Sequence, residues 1–108
     1  MVRQIDARSL ARHIENGRPV YLLDVRQPWE HETAALPDSV LIPLNELPGR
    51  LAEVTPPDGA LVVVYCHHGV RSLSGAALLE QAGFREVASL QGGIDAWSRQ
   101  VDPAVPRY

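Results

Sequence analysis

One cysteine dominates the chemistry that this sequence can offer. Cys66 ends an apolar run, Leu61-Val62-Val63-Val64-Tyr65, and opens the loop His67-His68-Gly69-Val70-Arg71, after which a helical pattern begins at Ser72. A strand that passes through a tight loop into a helix aims the loop's N–H groups at one spot, and the helix dipole adds partial positive charge there. Such a spot favours the thiolate form of a sulfur placed in it, or a bound anion. Gly69 permits close backbone approach. Arg71 is a second cation near a helix N-terminus, where positive charge is mildly unfavourable, so it is expected to serve the site. A lone cysteine is often an inert buried hydrophobe; against that stands the position of Cys66 at the end of the apolar run and not inside it.

A thiolate held in this way is suited to attack a sulfane sulfur, leaving a cysteine persulfide that a second nucleophile strips, in ping-pong order. The reaction needs a readily ionised thiol, N–H donors for the persulfide anion and a cation to orient an oxyanion leaving group. Arg71 presents a planar fork to such an oxyanion, which a lysine matches only as a point charge. One of His67 and His68 either flanks the mouth, adding positive field when protonated, or is a solvated loop residue. Consecutive positions rarely direct both side chains at one ion, and no other cysteine or histidine cluster has ligand spacing, so neither a metal nor a cofactor is expected.

The elements that must position this loop can be read on both sides of it. Asp6 is a candidate N-cap for a helix over 7–16, with Ile5 and Leu10 as a hydrophobic staple and Gly17 as its stop. The stretch 20–25 is apolar except for Asp24, which suits a strand buried in a parallel sheet with a polar end. Residues 28–32 suggest a short helix with Pro28 in its first turn, 40–42 a short strand, and 45–54 an irregular helix containing Pro48 and Gly49. The strand 61–65, the helix 72–81 and the strand 86–90 form a βαβ unit. Gly92-Gly93 is a tight turn into a last helix over 94–99, and 102–106 is expected to be an extended tail. Trp29 and Trp97 are expected to pack in the core. Ser72 either bonds the sulfur or caps the helix, and Asp24 either braces the Cys66 loop or orients Arg26. In doubly wound α/β sheets ligands bind beyond the carboxyl ends of the strands at a switch point, and Cys66 lies at such an end.

The sequence resembles, at Cys66-His67-His68-Gly69-Val70-Arg71-Ser72, the active-site loop of the rhodanese (thiosulfate sulfurtransferase) family in its single-domain form. Further similar stretches follow in order: Leu22-Leu23-Asp24-Val25-Arg26 with Trp29-Glu30, Ile42-Pro43-Leu44, Ala82-Gly83-Phe84, and Leu90-Gln91-Gly92-Gly93-Ile94-Asp95-Ala96-Trp97. One stretch departs: the family usually reads Gly-His-Ile-Pro-Gly-Ala where this chain has Ala34-Ala35-Leu36-Pro37-Asp38-Ser39. The resemblance implies an α/β fold, a single three-layer α/β/α rhodanese-like domain over 1–108 with a central, mainly parallel sheet. It implies Cys66 as catalytic sulfur carrier, His67, His68, Gly69, Val70, Arg71 and Ser72 as the loop that cradles persulfide and binds substrate, Arg71 as anion contact, and Asp24 and Arg26 as supporting residues. Implied partners are small sulfur donors and acceptors (thiosulfate, persulfides, cyanide, thiols) or a protein sulfur donor or acceptor. Four residues, His67 through Val70, separate cysteine from arginine. Cysteine-dependent phosphatases of related architecture have five, so the smaller cradle favours sulfur transfer over phosphate-ester hydrolysis. The alternatives are a non-enzymatic sulfur-relay or interaction module and, behind it, such a phosphatase.

Composition sets the outer bounds. A chain of 108 residues allows one compact domain. With 45% hydrophobic and 21% charged residues and a net charge of -3, it reads as an ordinary globular protein without the basic footprint of a nucleic-acid binder. One cysteine forms no internal disulfide, so an external acceptor must take the sulfur. The start Met1-Val2-Arg3-Gln4-Ile5-Asp6 has no apolar signal region, and no stretch nears the roughly twenty apolar residues of a membrane span, so a cytoplasmic location without membrane contact is expected.

Overall fold

The computed structural model describes residues 2–108. The chain runs β1 (Gln4–Ile5), α1 (Ala7–Glu15), β2 (Val20–Asp24), α2 (Pro28–Thr33), β3 (Val40–Leu41), two 3-10 turns at Leu47–Gly49 and Leu51–Glu53, β4 (Leu61–Tyr65), α3 (Arg71–Gln81), β5 (Val87–Leu90) and α4 (Gly93–Gln100). Its five strands form one sheet in the order β1-β5-β4-β2-β3, and every pairing is parallel. β2 and β4 pair over their full length, from Val20 opposite Leu61 to Asp24 opposite Tyr65.

Strand alternation explains the layers. Successive side chains on a strand face opposite sides, so β4 sends Leu61, Val63 and Tyr65 into one core with Ala7, Leu10, Ile94, Ala96 and Trp97 of α1 and α4. It sends Val62 and Val64, and then Cys66 just beyond it, into a second core with Ala76 and Leu79 of α3 and with Ile42 and Leu47. The result is the three-layer α/β/α arrangement. Every residue of β4 is buried, which is why it reads as an unbroken apolar run. Parity therefore places the Cys66 side chain on the α3 side of the sheet. β3 lies on one side of β2 and β4 on the other, so the chain reverses its order of progress there, and the carboxyl ends of β2 and β4 meet at this switch point.

Local capping follows the expected chemistry at α1, where Asp6 Oδ1 accepts the Ser9 N–H at 2.8 Å. Other details differ from the sequence reading. A two-residue strand, β1, adds to β5 through Gln4 and Ile5; it is too short for any periodicity to reveal. The expected irregular helix over 45–54 resolves into two separate 3-10 turns, the first holding Pro48 and Gly49, residues that an α-helix interior disfavours. The tail is not extended: the Val105 N–H returns to the Asp102 carbonyl at 3.1 Å, Ser98 Oγ donates to the Val105 carbonyl at 2.6 Å, and Val105 joins the core. Trp97 is a core residue, but Trp29 is 60% exposed, because α2 turns its second position away from the sheet. No helix among the described residues is long and apolar enough to cross a membrane.

Candidate active site

The loop from Cys66 to Val70 bends the chain around its own sulfur. Cys66 Sγ accepts the N–H groups of Gly69 at 3.1 Å and Ser72 at 3.3 Å, and lies 3.4 Å from the Ser72 hydroxyl. Helix α3 begins at Arg71, so the sulfur sits at its N-terminus, where the partial positive charge of the helix favours an anion. Ser72 is the second residue of the helix, not its cap; its hydroxyl bridges the sulfur to Ser89 Oγ, 2.7 Å away. Gly69 has φ +95, which brings its N–H onto the sulfur, and a Cβ there would meet the Gly92 nitrogen at 2.9 Å. Cys66 is 1% exposed.

The carbonyl side of the loop is held as firmly. The first free N–H groups of α4 point at it: Ile94 donates to the Cys66 carbonyl at 2.9 Å and Asp95 to the His67 carbonyl at 3.1 Å. This close approach requires Gly93, whose φ is +62 and whose hypothetical Cβ would collide with both of those carbonyls. The Gly92-Gly93 pair is thus a docking surface for the Cys66 loop as well as a turn.

Asp24 and Arg26 lie at the adjacent strand end, both fully buried. Arg26 Nε and Nη2 donate to the two Asp24 oxygens at 2.8 and 2.7 Å, and Nη2 also donates to the Ala34 carbonyl at 2.6 Å. Asp24 further accepts from the Tyr65 hydroxyl at 3.2 Å and lies 2.8 Å from His31 Nδ1. Asp24 thus grips the Arg26 guanidinium and also touches Tyr65, the last residue before the Cys66 loop. Burial together with the Asp24 charge pushes the Tyr65 phenol up to about 12, so it stays a neutral donor. The departing stretch 34–39 keeps a tight turn: Asp38 adopts φ 60 at the position where the family usually has glycine, and Tyr65 OH accepts the Leu36 N–H at 3.2 Å.

Arg71 is expected from the sequence to contact an anion. In the structure the anion it contacts is internal: Nη1 and Nη2 donate to Glu30 Oε1 and Oε2 at 2.7 and 2.9 Å. That fork holds the Glu30 carboxyl well below its usual range, at about 2, against the opposing effect of burial. The Tyr108 hydroxyl donates to Glu30 Oε2 at 2.7 Å and accepts from Arg26 Nη1 at 2.8 Å, joining the two ion pairs. The Tyr108 ring stacks on His67 with centroids 3.9 Å apart and planes 9° from parallel. Val70 is 73% exposed.

His67 lies between Tyr108 and His68, whose ring stacks at 3.9 Å, and burial with the neighbouring His68 lowers its pKa. His67, His68 and Asp95 bring ligand atoms within 4.8 Å of one another. The two rings are stacked 25° from parallel, so their in-plane lone pairs run side by side and do not converge. Asp95 is already held by Arg99 and Arg107 at 2.9 and 3.0 Å. That geometry does not suit an ion.

The sequence reading missed Glu30 and Tyr108 as parts of the site. For Glu30 a local signal existed: it is the third residue of a helix opened by Pro28, and its Oε1 accepts the Gln27 N–H at 3.0 Å, as a capping carboxylate does. For Tyr108 none did, because only the tertiary fold brings it to the loop.

The chain is similar to known sulfurtransferases and to solved structures of the same fold. A sulfurtransferase from Allochromatium vinosum is 38% identical over 97% of this chain and 96% of its own length. An adenylyltransferase and sulfurtransferase from Ogataea parapolymorpha is 32% identical over 99% of the chain, which spans only 27% of that longer protein. The crystal structure of a rhodanese-related protein from Thermoplasma volcanium superposes with a TM-score of 0.81 at 30% identity, covering 98% of this chain and 99% of the other. The family model for the rhodanese-like domain matches residues 6–100, and the chain belongs to that family.

Proposed function

We propose that the protein is a sulfurtransferase in which Cys66 carries the sulfur as a persulfide. The observation that supports this most is the placement of Cys66 Sγ at the N-terminus of α3 with two N–H donors, from Gly69 and Ser72, directed at it. These donors lower the energy of negative charge on the sulfur both before and after it is loaded. With thiosulfate as donor, the Cys66 thiolate attacks the outer sulfur, a new S–S bond forms, the S–S bond of thiosulfate breaks, and sulfite leaves with the electron pair. The negative charge then resides on the outer atom of the persulfide. A nucleophile such as cyanide attacks that atom, giving thiocyanate and regenerating the thiolate, and a thiol or protein acceptor would take the sulfur in the same way. Because the chain has one cysteine, the acceptor comes from outside it. Ser72, buried against the sulfur, is a positioning residue in this scheme, and Asp24 with Arg26 braces the neighbouring strand end.

The test is intact-protein mass spectrometry after incubation with thiosulfate and then cyanide, beside Cys66→Ser, with thiocyanate assayed in the same tube. The expected result is the gain of one sulfur atom on wild type only, lost with stoichiometric thiocyanate. No gain from thiosulfate or from a polysulfide would end the sulfurtransferase reading.

A further inference from the structure

The Glu30 carboxylate has no free lone-pair direction. Oε1 accepts from the Gln27 N–H at 3.0 Å and from Arg71 Nη1 at 2.7 Å; Oε2 accepts from Arg71 Nη2 at 2.9 Å and from the Tyr108 hydroxyl at 2.7 Å. Its side chain is only 5% exposed, whereas that of Arg71 is 37% exposed. The Nη1–Nη2 edge of Arg71, the group best shaped to take the oxyanion end of a small donor, is therefore taken by an internal anion, which leaves the Arg71 Nε–H and one N–H on each Nη to a donor. Tyr108 fixes that anion from behind. Its hydroxyl is held in turn by Arg26, and its ring stacks on His67 at 3.9 Å and makes a T-shaped contact with Trp29, with centroids 5.8 Å apart.

We propose that Glu30, held in place by Tyr108, is a specificity-determining residue that discriminates against anionic sulfur donors by setting a fixed negative charge against the Arg71 guanidinium. The inference rests on the sulfur-transfer reading above. A dianion such as thiosulfate that takes the remaining Arg71 N–H groups lies beside a carboxylate that already compensates the guanidinium, and on the Nη1–Nη2 edge it must also break two charge-assisted hydrogen bonds. In either position the carboxylate keeps its bonds to Gln27 and Tyr108 and remains negative beside the newcomer, so repulsion opposes binding. A hydropersulfide on an uncharged carrier meets no such repulsion, and the N–H groups of Gly69 and Ser72 favour the negative charge on sulfur. The site as built thus favours donors that present sulfur without an oxyanion.

The experiment measures thiosulfate binding by calorimetry in a Cys66→Ala background, where no transfer occurs, and kcat/KM for thiosulfate and for an uncharged alkyl hydropersulfide in the background that retains Cys66. Glu30→Gln is expected to tighten thiosulfate binding about tenfold, the worth of one charge-assisted hydrogen bond, with a matching rise in kcat/KM for thiosulfate alone. Tyr108→Phe keeps the stacked ring and is expected to give a smaller gain of about threefold, since Arg71 still grips Glu30. Adding Arg71→Ala to Glu30→Gln should abolish the gain. Unchanged or weaker binding in Glu30→Gln and Tyr108→Phe proteins with wild-type circular dichroism, or a gain that persists without Arg71, would overturn the inference. The binding arm requires no chemistry: if wild type takes sulfur from no donor the transferase reading fails, and the affinities still decide the role of Glu30.

Discussion

Asp24→Asn should be among the costliest single substitutions in this protein. Asp24 and Arg26 are both fully buried, and the carboxylate receives Nε and Nη2 of Arg26 at 2.8 and 2.7 Å. An amide at this position keeps the volume but removes the charge and puts N–H donors where the guanidinium also donates. Arg26 would retain the Ala34 carbonyl at 2.6 Å and the Tyr108 hydroxyl at 2.8 Å, neither of which offsets a buried positive charge. Removing one partner of a buried pair costs about 3–5 kcal/mol. A domain of this size has a total stability of about 5–15 kcal/mol, and an unfolding entropy near 2.1 cal/mol/K per residue converts the loss into a fall in Tm of about 13–22 °C. Urea unfolding at pH 7, followed by tryptophan fluorescence and far-UV circular dichroism, measures the change as a lower midpoint at unchanged slope. The companion variant is Asp24→Asn with Arg26→Met, which removes the stranded charge and is expected to recover about half of the loss, since an apolar replacement of a buried pair is often tolerated. A cost below about 1 kcal/mol for Asp24→Asn, or a double variant as unstable as the sum of the two single ones, would refute the claim that an uncompensated charge is what destabilises.

Two further outcomes follow from the same network and loop. Glu30 has its carboxyl lowered from 4.5 to about 2. A depressed carboxyl contributes stability that is fully present above the unfolded value and is lost as pH falls from about 4.5 to about 2, on the order of 3 kcal/mol as an upper bound. Urea midpoints of wild type and Glu30→Gln should therefore converge across that window, and a constant difference would count against the ion pair. Gly93→Ala places a Cβ against the carbonyls of Cys66 and His67 at a φ of +62. It should cost more than about 2 kcal/mol and lower persulfide loading of Cys66 at least tenfold, read by thermal melts and intact mass; an unchanged Tm with full loading would show that the loop does not depend on this contact.

The parts of the site that were legible in the sequence are those fixed by local rules. Five consecutive apolar residues at 61–65 specify a fully covered strand, the cysteine that follows marks its end, and Gly69 marks the turn. Parity along β4 then decides which face Cys66 takes. The Asp6 cap and the Pro28 helix start were readable for the same reason, since their partners lie within a few residues. The state of Arg71 was not readable. Its partner Glu30 lies on another element, and a lone cation in a loop looks the same in sequence whether it is free or paired. Trp29 illustrates the converse: aromatic composition favours a core position, but a helix of six residues covers only one face, and Trp29 falls on the other. β1 owes its existence to β5 and has no pattern of its own.

The pairing of β1 with β5 also bears on how the molecule comes into being. Strands from opposite ends of the sequence lie side by side, and the carbonyls of the Cys66 loop are tied to N–H groups of α4, which follows β5 in the chain. Contacts of such long sequence separation form late, after the entropy of closing long loops has been overcome, and parallel sheets of this kind fold slowly for that reason. During synthesis β4, the loop and α3 emerge before Gly93 does, so a nascent chain carries the thiol without the backbone groups that pin the loop closed behind it. The set of hydrogen bonds that closes the loop around Cys66 is therefore complete only once α4 has been made, and shorter nascent chains hold the thiol without it.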